Sequence, residues 1–271
     1  MSKPMLNKNL ENVQSELISC LCITKNSFEL LLRAITCYAL QTPIEHVKKE
    51  LIIVYEAPSI EIIAKIKSSI STTLLGEITF VPIQNAQRKV TLGEMRNLSV
   101  ALARGKYVAQ WDDDDIYHPS RLKEQYEALQ ISAPDVLGNL LNQRLLYDGA
   151  KRKVYLSNRT FFEGSIFCLR EVFTKGFSMY AHSHINEDTA MVGTLLKKGQ
   201  LEMLNRPRLY LYIYHGDNIL KRDHWECIFD AATEISDIRS ERIMHLCESF
   251  HDINDVENFL KEALSVECYS P

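Results

Sequence analysis

Apolar runs and helix-spaced apolar stripes alternate along the first 115 residues of the chain. Leu17-Ile18-Ser19-Cys20-Leu21-Cys22-Ile23 is nearly all apolar, as expected of a parallel strand buried on both faces. Thr24-Lys25-Asn26-Ser27 ends it, and Asn26 or Ser27 suits a helix cap. Phe28, Leu31, Leu32, Ile35 and Ala39 then recur at helical spacing. The pattern repeats with a strand over Leu51–Tyr55, a helix through Ile60, Ile63, Lys67 and Ile70, and a strand over Ile78–Ile83. Leu92-Gly93-Glu94 opens another helix, with Met95, Leu98 and Leu102 on one side. Gly105 is expected to stop it as a C-terminal glycine. A strand from Lys106 follows and runs into Asp112-Asp113-Asp114-Asp115. Such alternation predicts a parallel sheet built by right-handed crossovers.

The second half is less regular. His118-Pro119 turns the chain into a helix carrying Leu122, Tyr126 and Leu129. Pro134–Tyr147 and Lys153–Leu156 read as candidate strands, with antiparallel pairing one option. Phe161–Phe167 leads into a short helix near Arg170–Thr174. Glu187-Asp188 opens a helix through Met191, Leu195 and Leu196 to Gly199. Leu209–Tyr214 is a strong strand that His215-Gly216-Asp217-Asn218 ends. Ile219–Pro271 reads as helices, with Ile228, Ala231, Ile235 and Ile238 as apolar positions. The expected division is a polar lead-in over 1–16, an α/β domain over 17–218 and a helical C-terminal extension over 219–271.

Composition narrows the function classes. Hydrophobic residues make up 46% of 271, enough for one large α/β domain with a sizeable core. The net charge of −4 argues against a nucleic acid held by phosphate contacts. No apolar run approaches membrane-spanning length, and Met1–Ser15 has no signal-peptide core. A cytoplasmic protein is the expectation, with peripheral membrane contact left open. Seven cysteines without a CxxC pair predict buried thiols rather than zinc ligands or disulfides.

The acid run carries the candidate chemistry. Ligands bind at the carboxyl edge of an open α/β sheet, and four adjacent carboxylates need compensation by water, hydrogen bonds or a cation. In extended chain Asp112 and Asp114 would face one way, with Asp113 and Asp115 turned elsewhere. Their oxygens suit Mg²⁺ or Mn²⁺. A solvated acidic turn is the alternative.

Taken in order, these motifs resemble the family-2 glycosyltransferases of the GT-A fold. The resemblance rests on the strand ending in Thr24-Lys25-Asn26, on Gly93-Glu94-Met95-Arg96-Asn97, on Gly105–Asp115, on Glu187-Asp188 and on His215-Gly216-Asp217-Asn218. It covers roughly residues 17–218, a normal domain length. It implies a mixed, mainly parallel sheet flanked by helices. It also implies transfer of a sugar, with inversion, from a nucleotide-diphosphate donor, a UDP-sugar first, to a glycan, lipid-linked or protein acceptor.

The resemblance assigns Asp112 and Asp114 to the family's Asp-x-Asp pair. Asp114 is the direct ligand of Mn²⁺ or Mg²⁺, and Asp112 leans toward the ribose or the metal's waters. The fourfold run leaves that register open by one residue, so Asp113 stays among the donor-binding candidates. Asp115 supports the loop. Asp188 is the general base and Glu187 the runner-up; the alternative is that both acids merely complement a helix N-terminus. His215 is a further metal ligand or a pocket-closing histidine. Thr24 and Asn26 approach the base or ribose, or act only as turn and cap. Arg96 contacts the donor or lies on a helix face. Gly164 and Ser165 leave room for sugar or acceptor, or form a simple turn. The family's Asp-Asp-Gly-Ser-like loop is replaced by Tyr55-Glu56-Ala57-Pro58-Ser59. Glu56 is the candidate for base binding, with Tyr55 stacking nearby.

Two other readings remain. A sugar nucleotidyltransferase would share the sheet and the cation, but Thr24–Ser27 contains no glycine for a phosphate loop. A non-catalytic carbohydrate- or partner-binding module with a vestigial site would not need Glu187-Asp188.

Overall fold

The computed structural model describes residues 16–24, 27–56, 60–83, 89–174 and 179–265. Asn26, the loop 57–59, Cys268 and the polar lead-in before Glu16 lie outside the described residues. In chain order the strands are β1 (Glu16–Thr24), β2 (Val47–Glu56), β3 (Ile78–Ile83), β4 (Tyr107–Gln110), β5 (Ile116–Tyr117) and β6 (Gly138–Leu141). They continue with β7 (Leu145–Asp148), β8 (Lys153–Leu156), β9 (Phe162–Leu169), β10 (Leu201–Leu204), β11 (Tyr210–Tyr214) and β12 (Thr233–Ile235). The helices are α1 (Phe28–Ala39), α2 (Ile60–Ser69), α3 (Thr72–Gly76), α4 (Leu92–Leu102) and α5 (Arg121–Gln130). After them come α6 (Glu171–Thr174), α7 (Thr189–Lys197), α8 (Arg222–Asp230), α9 (Ile238–Ser249) and α10 (Val256–Ala263).

A seven-stranded sheet in the order β10-β6-β9-β4-β1-β2-β3 forms the body. Only β9 runs against its neighbours, β4 and β6; the other pairs are parallel. β1 lies in the interior of that sheet, which explains its near-continuous apolar text. Local signals start the helices as expected. The Ser27 hydroxyl accepts from the Leu30 N–H at the start of α1, and Thr91 with Glu94 forms a capping box on α4.

Three readings need correction. Pro134–Tyr147 is not one strand: β6 joins the large sheet and β7 a second, five-stranded sheet in the order β12-β8-β7-β11-β5. The chain after Ile219 is not wholly helical, because β12 pairs antiparallel with β8. Its helices also add Ile243, Leu246, Phe250 and Leu260 to the core that contains Ile18 and Leu51. Gly105 does not cap α4, which ends at Ala103 in extended conformation. A Cβ on Gly105 would sit 2.6 Å from Ser19 Oγ and 2.7 Å from Leu17 O. The glycine is there because β1 passes too close for a side chain.

Of the described cysteines, Cys20, Cys22, Cys37 and Cys168 are buried thiols, Cys247 is half-buried and Cys227 is exposed. No described helix is long and apolar enough to cross a membrane.

The acid run is where the chain leaves one sheet for the other, between β4 and β5. Asp115 anchors this crossover. It is fully buried, accepts the Tyr210 hydroxyl at 2.6 Å and the Ile213 N–H at 3.0 Å, and so ties the run to β11. Burial, then the charges of Asp114 and Asp112, push its carboxyl well above the usual range.

Asp115→Asn keeps the shape: its Oδ1 still accepts the Ile213 N–H, and its Nδ2 donates to the Tyr210 oxygen in a reversed contact, so its urea midpoint should stay near wild type. Asp115→Ala orphans two buried donors and should cost about 1–3 kcal/mol. Gly105→Ala forces β1 and the Gly105 segment apart and should cost about 1–3 kcal/mol in the same unfolding measurement.

Candidate active site

The acid run forms a turn rather than extended chain. The alternation expected of an extended segment therefore holds only in part: Asp112, Asp113 and Asp114 all line one cavity of about 530 Å³, while Asp115 lies beneath. That volume suits a drug-sized ligand.

Each carboxylate has its own compensation. Asp112 accepts Arg96 Nη2 at 2.9 Å and Gln110 Nε2 at 3.2 Å. Asp114 Oδ2 lies 3.3 Å from His215 Nε2 and accepts Asn218 Nδ2 at 3.2 Å. Its backbone carbonyl accepts Arg33 Nη2 at 2.5 Å. Asp113 is pushed up to about 7 by burial and then by the charge of Asp114.

Arg96 joins the two halves of the site. Projecting from α4, it is buried and spans from Asp112 to Glu187, whose Oε1 accepts Nε at 2.7 Å. The segment before α7 is clamped onto α4. Asn97 Nδ2 donates to Tyr180 O at 2.9 Å, and Asn97 Oδ1 accepts the Tyr180 N–H at 3.1 Å. Gly93 donates its N–H to Ser183 O at 3.1 Å. A Cβ on Gly93 would sit 1.7 Å from Ala181 O, so only glycine lets this segment lie against α4.

Asp188 occupies the N-cap position of α7 yet makes no capping hydrogen bond. Its side chain lines the cavity instead. Burial pushes its carboxyl up to about 6, although the Arg96 charge opposes the shift. A half-buried, uncommitted carboxylate with a raised pKa is suited to accept a proton. Glu187 also lines the cavity but is held by Arg96.

The donor-side candidates are less complete. Thr24, at the end of β1, reaches the acid run, where its hydroxyl hydrogen-bonds the Asp113 carboxyl and opposes its upward shift, and Glu56 Oε1, at the end of β2, is buried without a hydrogen-bond partner among the described residues. Both sit at the carboxyl edge of the sheet. Tyr55 is buried in the core. Gly164 lines the cavity, and a Cβ there would lie 3.4 Å from Asp112 Oδ2. Ser165 is a framework residue: its hydroxyl accepts the Leu141 N–H at 2.8 Å and donates to Phe162 O.

Among the described residues no three His, Cys, Asp or Glu side chains assemble into a complete cation cage. Asp114 and His215 nonetheless bring one oxygen and one nitrogen to the same point. That pair fits a cation whose remaining ligands are diphosphate oxygens and water, as is usual for Mg²⁺.

Residues without an assigned role in the sequence also shape the site. Asn218 holds the turn after β11: its Oδ1 accepts the His215 N–H at 2.9 Å, and its Nδ2 reaches Asp114. Its place in His215-Gly216-Asp217-Asn218 was the available signal. Arg144, His224 and Ile228 line the cavity as well. They come from a turn and from α8, and no local pattern marks them.

The sequence model of glycosyl transferase family 2 matches residues 19–182. No curated protein sequence matches the chain. Among solved structures, S. aureus TarS 1–349 in complex with UDP is 14% identical, with 92% of this chain and 72% of that chain covered and a TM-score of 0.51. The same protein with UDP-GlcNAc is 12% identical over 91% of this chain and 79% of that chain, with a TM-score of 0.53. The mannosyltransferase PcManGT from Pyrobaculum calidifontis, in complex with GDP-Man and Mn²⁺, is 11% identical over 91% and 73%, with a TM-score of 0.55. With the family match covering more than half of the chain, the protein belongs to glycosyl transferase family 2 and is a glycosyltransferase of the GT-A fold.

Proposed function

We propose that the enzyme transfers a sugar from a nucleotide-diphosphate donor to an acceptor hydroxyl with inversion, assisted by a divalent cation. The observation that carries this reading is Asp188. It faces the cavity that the acid run lines, makes no cap and has a carboxyl raised to about 6. An acceptor hydroxyl is a poor nucleophile, and a carboxylate on the side opposite the leaving group can take its proton as it attacks. Single displacement of this kind inverts the anomeric carbon.

The leaving diphosphate gathers charge as the glycosidic bond breaks. Asp114 and His215 would hold Mn²⁺ or Mg²⁺, which supplies Lewis-acid stabilisation to that group. Asp112 is fixed by Arg96 beside the cation position and is assigned to the ribose or the cation's waters. Thr24, Glu56 and, outside the described residues, Asn26 are assigned to the base and ribose; the buried unpartnered Glu56 oxygen favours a polar ligand there. Arg96 also holds Glu187, so one guanidinium sets the spacing between the donor acids and the base segment. A UDP-sugar is the first donor to test, since TarS is known with UDP and UDP-GlcNAc, while PcManGT with GDP-Man makes a GDP-sugar the second. A glycan, lipid-linked or protein acceptor is assigned to the side of the cavity lined by Leu220, His224 and Ile228 of the C-terminal extension.

Calorimetry with UDP and GDP, with and without Mn²⁺, tests the donor site. Metal-dependent binding of one nucleotide is expected, lost in Asp114→Ala. No binding of any nucleoside diphosphate to the folded wild type would leave the non-catalytic module in its place. The base is tested by its pH profile. Asp188 must be ionised to act, so kcat/KM should fall as pH drops through about 6 and level off above it. Asp188→Asn should lose about 10²–10⁴-fold in kcat while nucleotide affinity holds; a variant of near-normal rate would move the base elsewhere.

A further inference from the structure

Four arginines of the described chain are buried: Arg33, Arg96, Arg121 and Arg144. Three have hydrogen-bond acceptors. Arg33 donates to Asp114 O, Arg96 to Asp112 and Glu187, and Arg121 to Gln110 O and Gln125. Arg144 is different. It is 6% exposed, its Nε and Nη1 are buried without a partner, and among the described residues its guanidinium donates no hydrogen bond. Its backbone is pinned to Ser157 in both directions, at 3.0 Å each. Its side chain lies on aromatic faces, with Cζ 3.9 Å from the Phe162 ring centre and 5.5 Å from that of Tyr212.

A guanidinium stays charged in a protein. Glu163 and Asp115 act on that of Arg144 through space, but neither forms an ion pair with it; burying a guanidinium without a bonded counter-ion is costly, and ring faces return only about 1–2 kcal/mol. The residue nonetheless lines the cavity that holds the acid run and Asp188. A fixed, flat, unpaired cation at a substrate cavity is a receptor for a planar or tetrahedral anion. The donor's diphosphate already has a receptor in the proposed cation position at Asp114 and His215. What lacks one is any charge on the acceptor.

We propose that Arg144 recognises an anionic group of the acceptor, so that the sugar is transferred to an alcohol bearing a phosphate or a carboxylate. This deepens the proposed transferase reading and rests on it for the word acceptor. Arg144 binds and orients; it takes no part in proton transfer. Phe162 and Tyr212 hold the guanidinium plane, and Gly164, two residues beyond Phe162, leaves the neighbouring wall open beside Asp112.

The test uses calorimetry on the whole chain saturated with UDP or GDP and Mn²⁺. Inorganic phosphate, glycerol 3-phosphate, glucuronate and glycerol are then added separately. Wild type should bind phosphate and glycerol 3-phosphate, or glucuronate, and should not bind glycerol; which anion binds names the acceptor class. Arg144→Gln should weaken that binding at least tenfold and leave nucleotide affinity within twofold. Arg144→Lys, which keeps the charge, should retain part of it and serves as the decisive variant if Arg144→Gln does not fold. Anion binding unchanged in the variants, or absent from wild type, overturns the proposal. A parallel tenfold loss of nucleotide affinity also overturns it, because Arg144 would then serve the donor. If no nucleotide binds wild type, the transferase reading fails separately, and the same anions titrated onto the free protein still decide whether Arg144 is an anion receptor.

Discussion

Four carboxylates in a row repel one another, and the fold is arranged so that each is answered differently. The run spans the crossover from β4 in the large sheet to β5 in the small one, so its geometry is set from both sides. Asp115 is taken into the core, where Tyr210 and Ile213 satisfy it. Asp112 is held by a buried arginine, and Asp114 faces a histidine and an amide. Asp113 relieves the remaining repulsion through a carboxyl that holds its proton up to about 7. Were the four merely solvated, the aromatic layer beneath them would have no purpose. Instead Trp111, Tyr117 and Tyr210 stack around the guanidinium of Arg121, which is fully buried. The guanidinium donates to Gln110 O at 2.9 Å and to Gln125 Oε1 at 3.1 Å, which ties the end of β4 to α5 beneath the run.

Arg96 extends this arrangement across the cavity. By binding Asp112 and Glu187 together it couples the position of the acid run to that of the segment carrying Asp188. The coupling explains the text around Arg96. Thr91 and Glu94 fix the start of α4, Gly93 lets the 180s segment pass, and Asn97 grips Tyr180 from both sides. One helix turn therefore positions two distant parts of the chain. A loss at Gly93 or Asn97 would displace Asp188 without touching it.

The alternating half was legible because its signals are local. Ser27 caps α1, apolar residues stripe the helix faces, and β1 reads as a fully buried strand. The site motifs could be named in order for the same reason: each is a short run at the end of a strand or the start of a helix. What escaped depends on residues far apart in sequence. The second sheet is made of strands only two to five residues long, too short to show a period. β12 is a strand only because β8 offers it an edge. Gly105 looked like a helix stop, and its reason lies 86 residues away at Ser19. Arg144 sits in a polar turn whose text is ordinary; its isolation appears only once Phe162 and Tyr212 close over it.

The C-terminal extension is part of the framework around the cavity. Its later helices bury Ile243, Leu246 and Leu260 in the central core, which fixes the extension firmly. Its first helix then brings His224 and Ile228 to the cavity and packs Trp225 on Tyr212 with ring centres 4.3 Å apart. Tyr212 is one of the two rings that face Arg144. The tail thus helps to fix the ring that holds the guanidinium in place, and the rigidity of that cation comes in part from residues beyond the family match at 182. Tyr212 joins the sheet to the extension physically: β11 runs on from it through Tyr214 to His215 beside Asp114, and α8 packs on it through Trp225.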